Sequence, residues 1–338
     1  MLDAIPVTCL RPLMVKNPRF RYPYQSVEFN RNKELHWRDY VENYYIEVPC
    51  GKCYLCRKKK ANGWRIRLLE ECKSTPTFRH CGIDKKRIIF VCFTFDDAHL
   101  PRPGKRSQFA ELIRKWRDLW RKKFGRSPRY FAITDKGSQF GRLHLHLLIF
   151  DPRNYKEDDL FGTPLSIEDL EKHNFFWRNG MVRYPSWLES ERGISYVTGY
   201  MTGSNLEKDA IKHGKPMCKE AKEYIPFIFV SNGLGKSFVD NPNLAIDPQT
   251  GNYLYYYQGY YYGLPSYYRY KLIDEEFRWH SNLLLKKEKE DYMNTHDVIE
   301  YSLHNHKHSF DSLEMLYRSC YRQYDTDNNK FIRQIYAK

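Results

Sequence analysis

The sequence predicts an α+β fold in which helices pack against a sheet, and three observations predict it. Residues 88–95 (IIFVCFTF) and 143–150 (LHLHLLIF) are strand-length runs rich in β-branched and aromatic side chains. Between them, Phe109, Leu112, Ile113, Trp116 and Trp120 recur at helical spacing among basic residues. Strands and helices are mixed along the chain rather than strictly alternating, which favours α+β over a doubly wound sheet.

Residues 1–48 carry several prolines and polar turns and are expected to be irregular. CGKCYLC at 50–56 follows, then Arg57, Lys58, Lys59 and Lys60 and a helix to about residue 72. A basic first half opposes that helix's own dipole. Its cations are therefore expected either to face phosphate or to be a solvated face. Residues 88–95 read as a buried strand. Ser107 is the expected N-cap of the next helix, which runs to about Phe124, with Gly125 as its stop. Residues 129–134 read as a second strand and 143–150 as a third. The turn-like DKGSQFG between them predicts a hairpin. Residues 152–187 read as loops around a short helix at 167–173, and 194 to about 202 as another short helical segment. Residues 253–270 (YLYYYQGYYYGLPSYYRY) are dense in tyrosine and suit either base stacking or strand packing. Two charged helical stretches, roughly 272–290 and 310–323, close the chain.

The 338 residues are long enough for one large domain with additions, or for two domains. A net charge of +15 and a pI near 9.2 point to a polyanionic partner, most commonly nucleic acid. The 28 tyrosines interleaved with basic residues suit single strands, cations holding phosphate and rings stacking on bases. No run approaches the roughly 18 apolar residues of a membrane span. The start, MLDAIPVTCLRP, lacks the order of a secretory signal. A cytoplasmic protein is expected, and its nine cysteines are unlike a disulfide framework in that compartment. The GKS of residues 235–237 resembles the end of a phosphate-binding loop. Val230 stands where that loop needs its first glycine, which excludes nucleotide binding there.

The chemistry centres on three groups. In His144-Leu145-His146, strand alternation points both imidazoles to one face, where they can meet one divalent cation. Asp135 ends the preceding strand, and if the hairpin forms its carboxylate comes near them. Two imidazoles and one carboxylate leave coordination sites open, as catalytic metals require. Tyr196 and Tyr200 are four apart in a helical segment, so both hydroxyls lie on one face, and tyrosine is an allowed covalent nucleophile. Each signal is weak alone: with 12 histidines, chance supplies about 0.4 such His pairs, and 28 tyrosines supply about two such Tyr pairs. Cys50, Cys53 and Cys56 are spaced so that neighbouring sulfurs can share a soft metal. Lys60 stands where an iron–sulfur pattern needs its fourth cysteine.

The order of these features carries more than any one of them. FTFDD (93–97) precedes a basic helix, then Asp135, then GRLHLH (141–146), then YVTGY (196–200). The succession resembles the HUH endonucleases, and among them the replication initiators of small single-stranded DNA phages, the microviruses of the gokushovirus branch. PCGKCYLCRKKKANGWRIR, the GLG at 233–235 and GLPSYYRYKL at 263–272 also fit that family, so the resemblance spans about residues 9–272. It implies an HUH core with a central antiparallel sheet of about five strands at 81–240, a Cys-rich basic segment at 1–80, and a Tyr-rich arm with C-terminal helices at 241–338.

The resemblance makes His144 and His146 metal ligands for Mg²⁺ or Mn²⁺, and Tyr196 and Tyr200 the nucleophile pair. Asp135 stands where the family more often carries Glu. Gly199 and Gly203 stand where it often carries lysines, with Lys208 as a candidate substitute. Cys9 is the candidate fourth ligand of a Zn²⁺ site with Cys50, Cys53 and Cys56. Arg57, Lys58, Lys59, Lys60, Arg142 and Lys208 are the candidate DNA contacts. The implied activity is nicking of a viral origin, on single-stranded DNA or the double-stranded replicative form, with a 5′-phosphotyrosine intermediate, a free 3′ end as primer for rolling-circle replication, and later rejoining. Host helicase and DNA polymerase are the implied partners, in the host cell cytoplasm and without a membrane. The rival readings are an HUH relaxase or transposase, a non-catalytic single-stranded DNA-binding protein, and a zinc-dependent structural or regulatory protein.

Overall fold

A computed structural model of the chain describes residues 13–16, 45–51, 54–137, 141–156, 160–202, 226–246, 253–275 and 277–278. The described residues fall into two compact units that divide at Lys59–Lys60. The first contains β1 (Leu13–Lys16) and β2 (Tyr45–Val48), an antiparallel pair. This corrects the expectation of an irregular segment. The four-residue strands fall between the prolines and are far apart in sequence, so no local periodicity marks them. Helix α1 (Tyr54–Ser74) starts in the first unit and belongs mostly to the second.

The second unit is α+β, as the sequence predicts. A hairpin of β3 (Thr77–His80) and β4 (Ile83–Lys86) leads into β5 (Ile88–Thr94) and α2 (Arg106–Phe124). Next come β6 (Arg129–Lys136), β7 (Leu143–Phe150), the small pair β8 (Arg153–Asn154) and β9 (Thr163–Pro164), and α3 (Ile167–Glu171). They are followed by β10 (Val182–Trp187), α4 (Arg192–Gly199) and β11 (Ile228–Val230). The central sheet has the order β10–β5–β7–β6–β11, and every neighbouring pair is antiparallel. The predicted hairpin is β6–β7, closed by Gly137 N–H donating to the Arg142 carbonyl at 3.0 Å.

Both faces of this sheet are covered, which is why β5 and β7 read as continuous apolar runs rather than alternating ones. Against one face lies the α2 stripe of Phe109, Ile113, Trp116, Trp120 and Phe124, packed on Ile89, Val91, Phe93, Leu145, Leu147 and Ile149. Each such side chain contributes about 1.5–3 kcal/mol by leaving water. The buried Trp116 keeps its N–H satisfied at the Phe175 carbonyl, 2.9 Å away. Gly125 ends α2 with φ +83°, a conformation that favours glycine, and its N–H donates to the Arg121 carbonyl. The other face packs against α1, through Ile66, Leu68 and Leu69, and against α4, through Ile194 and Val197.

Several expectations are corrected. Ser107 is not the N-cap: α2 begins at Arg106, and the Gln108 side chain reaches back to accept the Arg102 N–H at 2.7 Å. The helix expected at 167–173 ends at Glu171 and passes into a 3₁₀ turn, Asn174–Phe176. The segment read as loops up to 187 contains β10. Pro185 argues against a strand, but β10 is an edge strand whose register shifts between Arg183 and Ser186, where a proline is tolerated. The tyrosine-dense stretch is packed structure. A sheet of β12 (Leu244–Ile246), β13 (Tyr253–Tyr257) and β14 (Tyr260–Gly263) is followed by α6 (Ser266–Leu272), with Tyr255 and Tyr268 buried. The charged stretches at 279–290 and 310–323 lie outside the described residues.

Glu71 ties these layers together. Its carboxylate accepts from Arg129 Nε and from Arg129 Nη2 at 2.8 Å, and from the buried Gly235 N–H at 2.7 Å. On the same helix Arg67 stacks between Trp64 and Tyr267 and donates to the Leu234 carbonyl, so this cation is structural rather than aimed at phosphate. Gly235 has φ +71°, and a Cβ there would sit 2.5 Å from the Arg67 carbonyl oxygen. The GLG turn is thus a packing element. Between Ser237–Asp240 (helix α5) and α6, the rings of Phe238 and Tyr268 meet at 4.6 Å. Replacing Glu71 with alanine is expected to lower stability by about 2–3 kcal/mol. That is below the full cost of breaking a buried ion pair, because Arg129 keeps partial contact with water. A urea unfolding curve with a lower midpoint and unchanged slope checks it, and an unchanged midpoint refutes it.

Candidate metal and tyrosine site

The face of the sheet that carries α1 and α4 also carries the chemistry. In β7, Leu145 turns toward α2 and is fully buried, so His144 and His146 share the opposite face. The register then selects their neighbours. Asp135 of β6 lies directly across from His144, and Cys92 of β5 lies directly across from His146.

The two Nε2 atoms are 3.0 Å apart. Asp135 Oδ2 lies 3.5 Å from the first and 3.7 Å from the second. His144 Nδ1 is 3.2 Å from the Arg142 carbonyl, which can only accept, so Nδ1 carries the proton and Nε2 presents its lone pair. Three electron-pair donors therefore converge. Two nitrogens held about 2.1 Å from one ion at right angles are about 3.0 Å apart. The donor set and its spacings thus fit a divalent cation with open coordination positions.

The surroundings are dry. Asp135 is 2% exposed and His146 is 6% exposed. The His146 ring is flanked by Phe90 at 5.8 Å and by Tyr200 at 4.3 Å, both nearly parallel to it. Burial, with His146 alongside, lowers the His144 pKa and so favours the neutral, ligating imidazole. Burial pushes the Cys92 thiol up to about 12, and the neighbouring Asp135 adds to the shift.

Helix α4 brings in the tyrosines. Tyr196 is in its last turn, and Tyr200 follows immediately, in the 3₁₀ turn Tyr200–Thr202. The α-helix stops at Gly199, one of the two positions where the related proteins often carry lysine. The tyrosine rings meet edge to face at 5.1 Å, and the Tyr200 hydroxyl donates to that of Tyr196. Their settings differ: Tyr196 is 56% exposed and Tyr200 is 3% exposed. Burial raises the Tyr200 phenol above its ordinary pKa, and the bond to Tyr196 adds to this.

The other named residues fall elsewhere. The Arg142 guanidinium donates to the Phe95 carbonyl at 2.7 Å and pairs with the exposed Asp97 at 2.8 Å, joining FTFDD to the hairpin. Arg57, Lys58, Lys59 and Lys60 lie in the first two turns of α1. Cys50 Sγ and Cys56 Sγ are 4.0 Å apart, close to the roughly 3.8 Å that tetrahedral zinc sets between two thiolates. Cys9, Cys53, Gly203 and Lys208 lie outside the described residues. Cys92 is the site residue that sequence reasoning missed. Alternation puts it on the face of Phe90 and Thr94, but only the β5–β7 register sets it opposite His146.

No described helix is long and apolar enough to cross a membrane. No curated protein and no solved structure matches the chain. Residues 88–205 match the model of a family of replication-associated proteins, the ORF2 family. The matched stretch runs from the first strand of the central sheet through both tyrosines and holds every side chain of the site just described. The similarity supports a replication-associated protein of the rolling-circle kind, one that acts on DNA.

Proposed function

We propose that the protein is an HUH-type replication initiator of the microvirus kind, a metal-dependent endonuclease that nicks one strand at the viral origin and joins its 5′ end to a tyrosine. One observation carries this reading: His144, His146 and Asp135 converge on one sheet face, and the Tyr196–Tyr200 pair packs on the same face through Tyr200.

His144, His146 and Asp135 would hold Mg²⁺ or Mn²⁺, which supplies Lewis-acid stabilisation of the charge that builds on a non-bridging phosphate oxygen. Tyr196, the exposed member, is the first nucleophile. Its oxygen attacks phosphorus, the Tyr–O–P bond forms and the P–O3′ bond breaks. The phenol proton passes to solvent, and the departing 3′ oxygen takes one up. Tyr200 donates a hydrogen bond to the attacking oxygen, which favours charge developing there. The tyrosyl ester keeps the phosphodiester energy, so attack by a 3′-hydroxyl rejoins the strand without a nucleotide cofactor. Tyr200 serves as the second nucleophile when the origin is regenerated after one circuit.

The free 3′ end primes a host polymerase, and a host helicase separates the strands in the host cytoplasm. Cys50 and Cys56, with Cys53 and Cys9, hold Zn²⁺ beside the basic start of α1, where Arg57, Lys58, Lys59 and Lys60 contact DNA phosphate.

The test uses labelled single-stranded fragments tiling the cognate origin, Mn²⁺ and a denaturing gel. The wild-type protein is expected to yield a covalent protein–DNA band that EDTA and the Tyr196→Phe/Tyr200→Phe double variant both abolish. If every fragment is bound and none gives an adduct, the protein is a DNA-binding protein without this chemistry.

A further inference from the structure

The Cys92 thiol has no part in the reaction above, yet it lies on the reacting face. Strand pairing sets Cys92 across from His146, and the thiol sulfur and one ring nitrogen from each histidine all lie within 4.8 Å of one another. An ion with metal–sulfur and metal–nitrogen distances of about 2.3 and 2.0–2.1 Å holds tetrahedral sulfur and nitrogen about 3.5 Å apart. A shift of about 1 Å, within reach of a cysteine rotamer change, therefore closes the shell. Cys92 and His146 are both buried, so water competes weakly for the ion there.

We propose that Cys92 is a further ligand of the metal centre, adding a sulfur donor from β5 to His144 and His146 of β7 and Asp135 of β6. On binding, the thiol gives its proton to solvent and the thiolate enters the shell. The centre then draws one ligand strand from each side of β7. Sulfur tilts its preference toward borderline ions such as Co²⁺ and Zn²⁺ and away from hard Mg²⁺. The inference rests on the metal-centre reading given above.

Cobalt is the probe, because a thiolate bound to Co²⁺ gives a near-ultraviolet charge-transfer band. Full-length wild type, Cys92→Ser, Cys92→Ala and His144→Ala are titrated with Co²⁺, and each variant is checked for a native thermal transition. The N-terminal cysteines contribute alike to all four and cancel in difference spectra. The wild-type minus Cys92→Ser spectrum is expected to show a charge-transfer band that His144→Ala also lacks. Co²⁺ affinity at that site is expected to fall about tenfold in both Cys92 variants. Two Cys92 variants are used so that one that fails to fold does not end the test. If both match wild type in spectrum and affinity while His144→Ala loses a Co²⁺ site, Cys92 is a core residue and only this inference fails. If His144→Ala matches wild type as well, the metal-centre reading falls with it.

Discussion

Replacing His144 with alanine is expected to lower single-turnover nicking of an origin oligonucleotide by about 10³-fold or more. The loss reflects several kcal/mol of charge stabilisation at the scissile phosphate. The geometry makes the effect specific. His144 Nε2 stands 3.0 Å from His146 Nε2 and 3.5 Å from Asp135 Oδ2, with its own Nδ1–H tied to the Arg142 carbonyl. Alanine removes one of three converging donors and leaves Asp135 and His146 with too few partners to hold an ion. His144 sits near the end of β7 and is more exposed than His146, so the fold is expected to survive the change. The measurement is the rate of adduct formation across an Mn²⁺ titration, with circular dichroism as the check on folding. A variant that nicks at the wild-type rate would remove the metal centre from the mechanism.

The second large effect separates the tyrosines. Tyr196→Phe is expected to abolish the first covalent adduct, because it deletes the exposed hydroxyl. Tyr200→Phe is expected to keep the adduct, on a peptide containing Tyr196, at a rate lowered about tenfold by the loss of one hydrogen bond to the attacking oxygen. Rejoining after a second cleavage is expected to fail in Tyr200→Phe, since that step needs a second nucleophile. Mass spectrometry of the trapped adduct identifies the attached residue. If Tyr200 carries the DNA in wild type and Tyr196→Phe nicks normally, the order of attack is the reverse of the one proposed. The asymmetry that motivates this test, 56% against 3% exposure, has no counterpart in the spacing of YVTGY.

What the sequence alone determined is local. Helical spacing of Phe109, Ile113, Trp116 and Trp120 identified the stripe that covers one sheet face. The period of two in His144-Leu145-His146 placed the imidazoles together, and the turn chemistry of DKGSQFG brought Asp135 across to them. These patterns are legible because each depends on neighbours within a few residues, where backbone geometry sets the side-chain direction.

Tertiary structure decided the rest. Edge strands β10 and β11 carry no readable alternation, one because Pro185 masks it and the other because it has three residues. Arg67 reads as a phosphate-facing cation in sequence, yet it lies sandwiched between two aromatic rings. Cys92 enters the site only through the pairing of β5 on β7, a contact between residues more than fifty positions apart. The burial of Tyr200 likewise depends on α4 lying across His146. Register between distant strands and the seating of a helix on a sheet are set by packing of the whole core. A window of sequence therefore contains the residues of this site but not which of them meet.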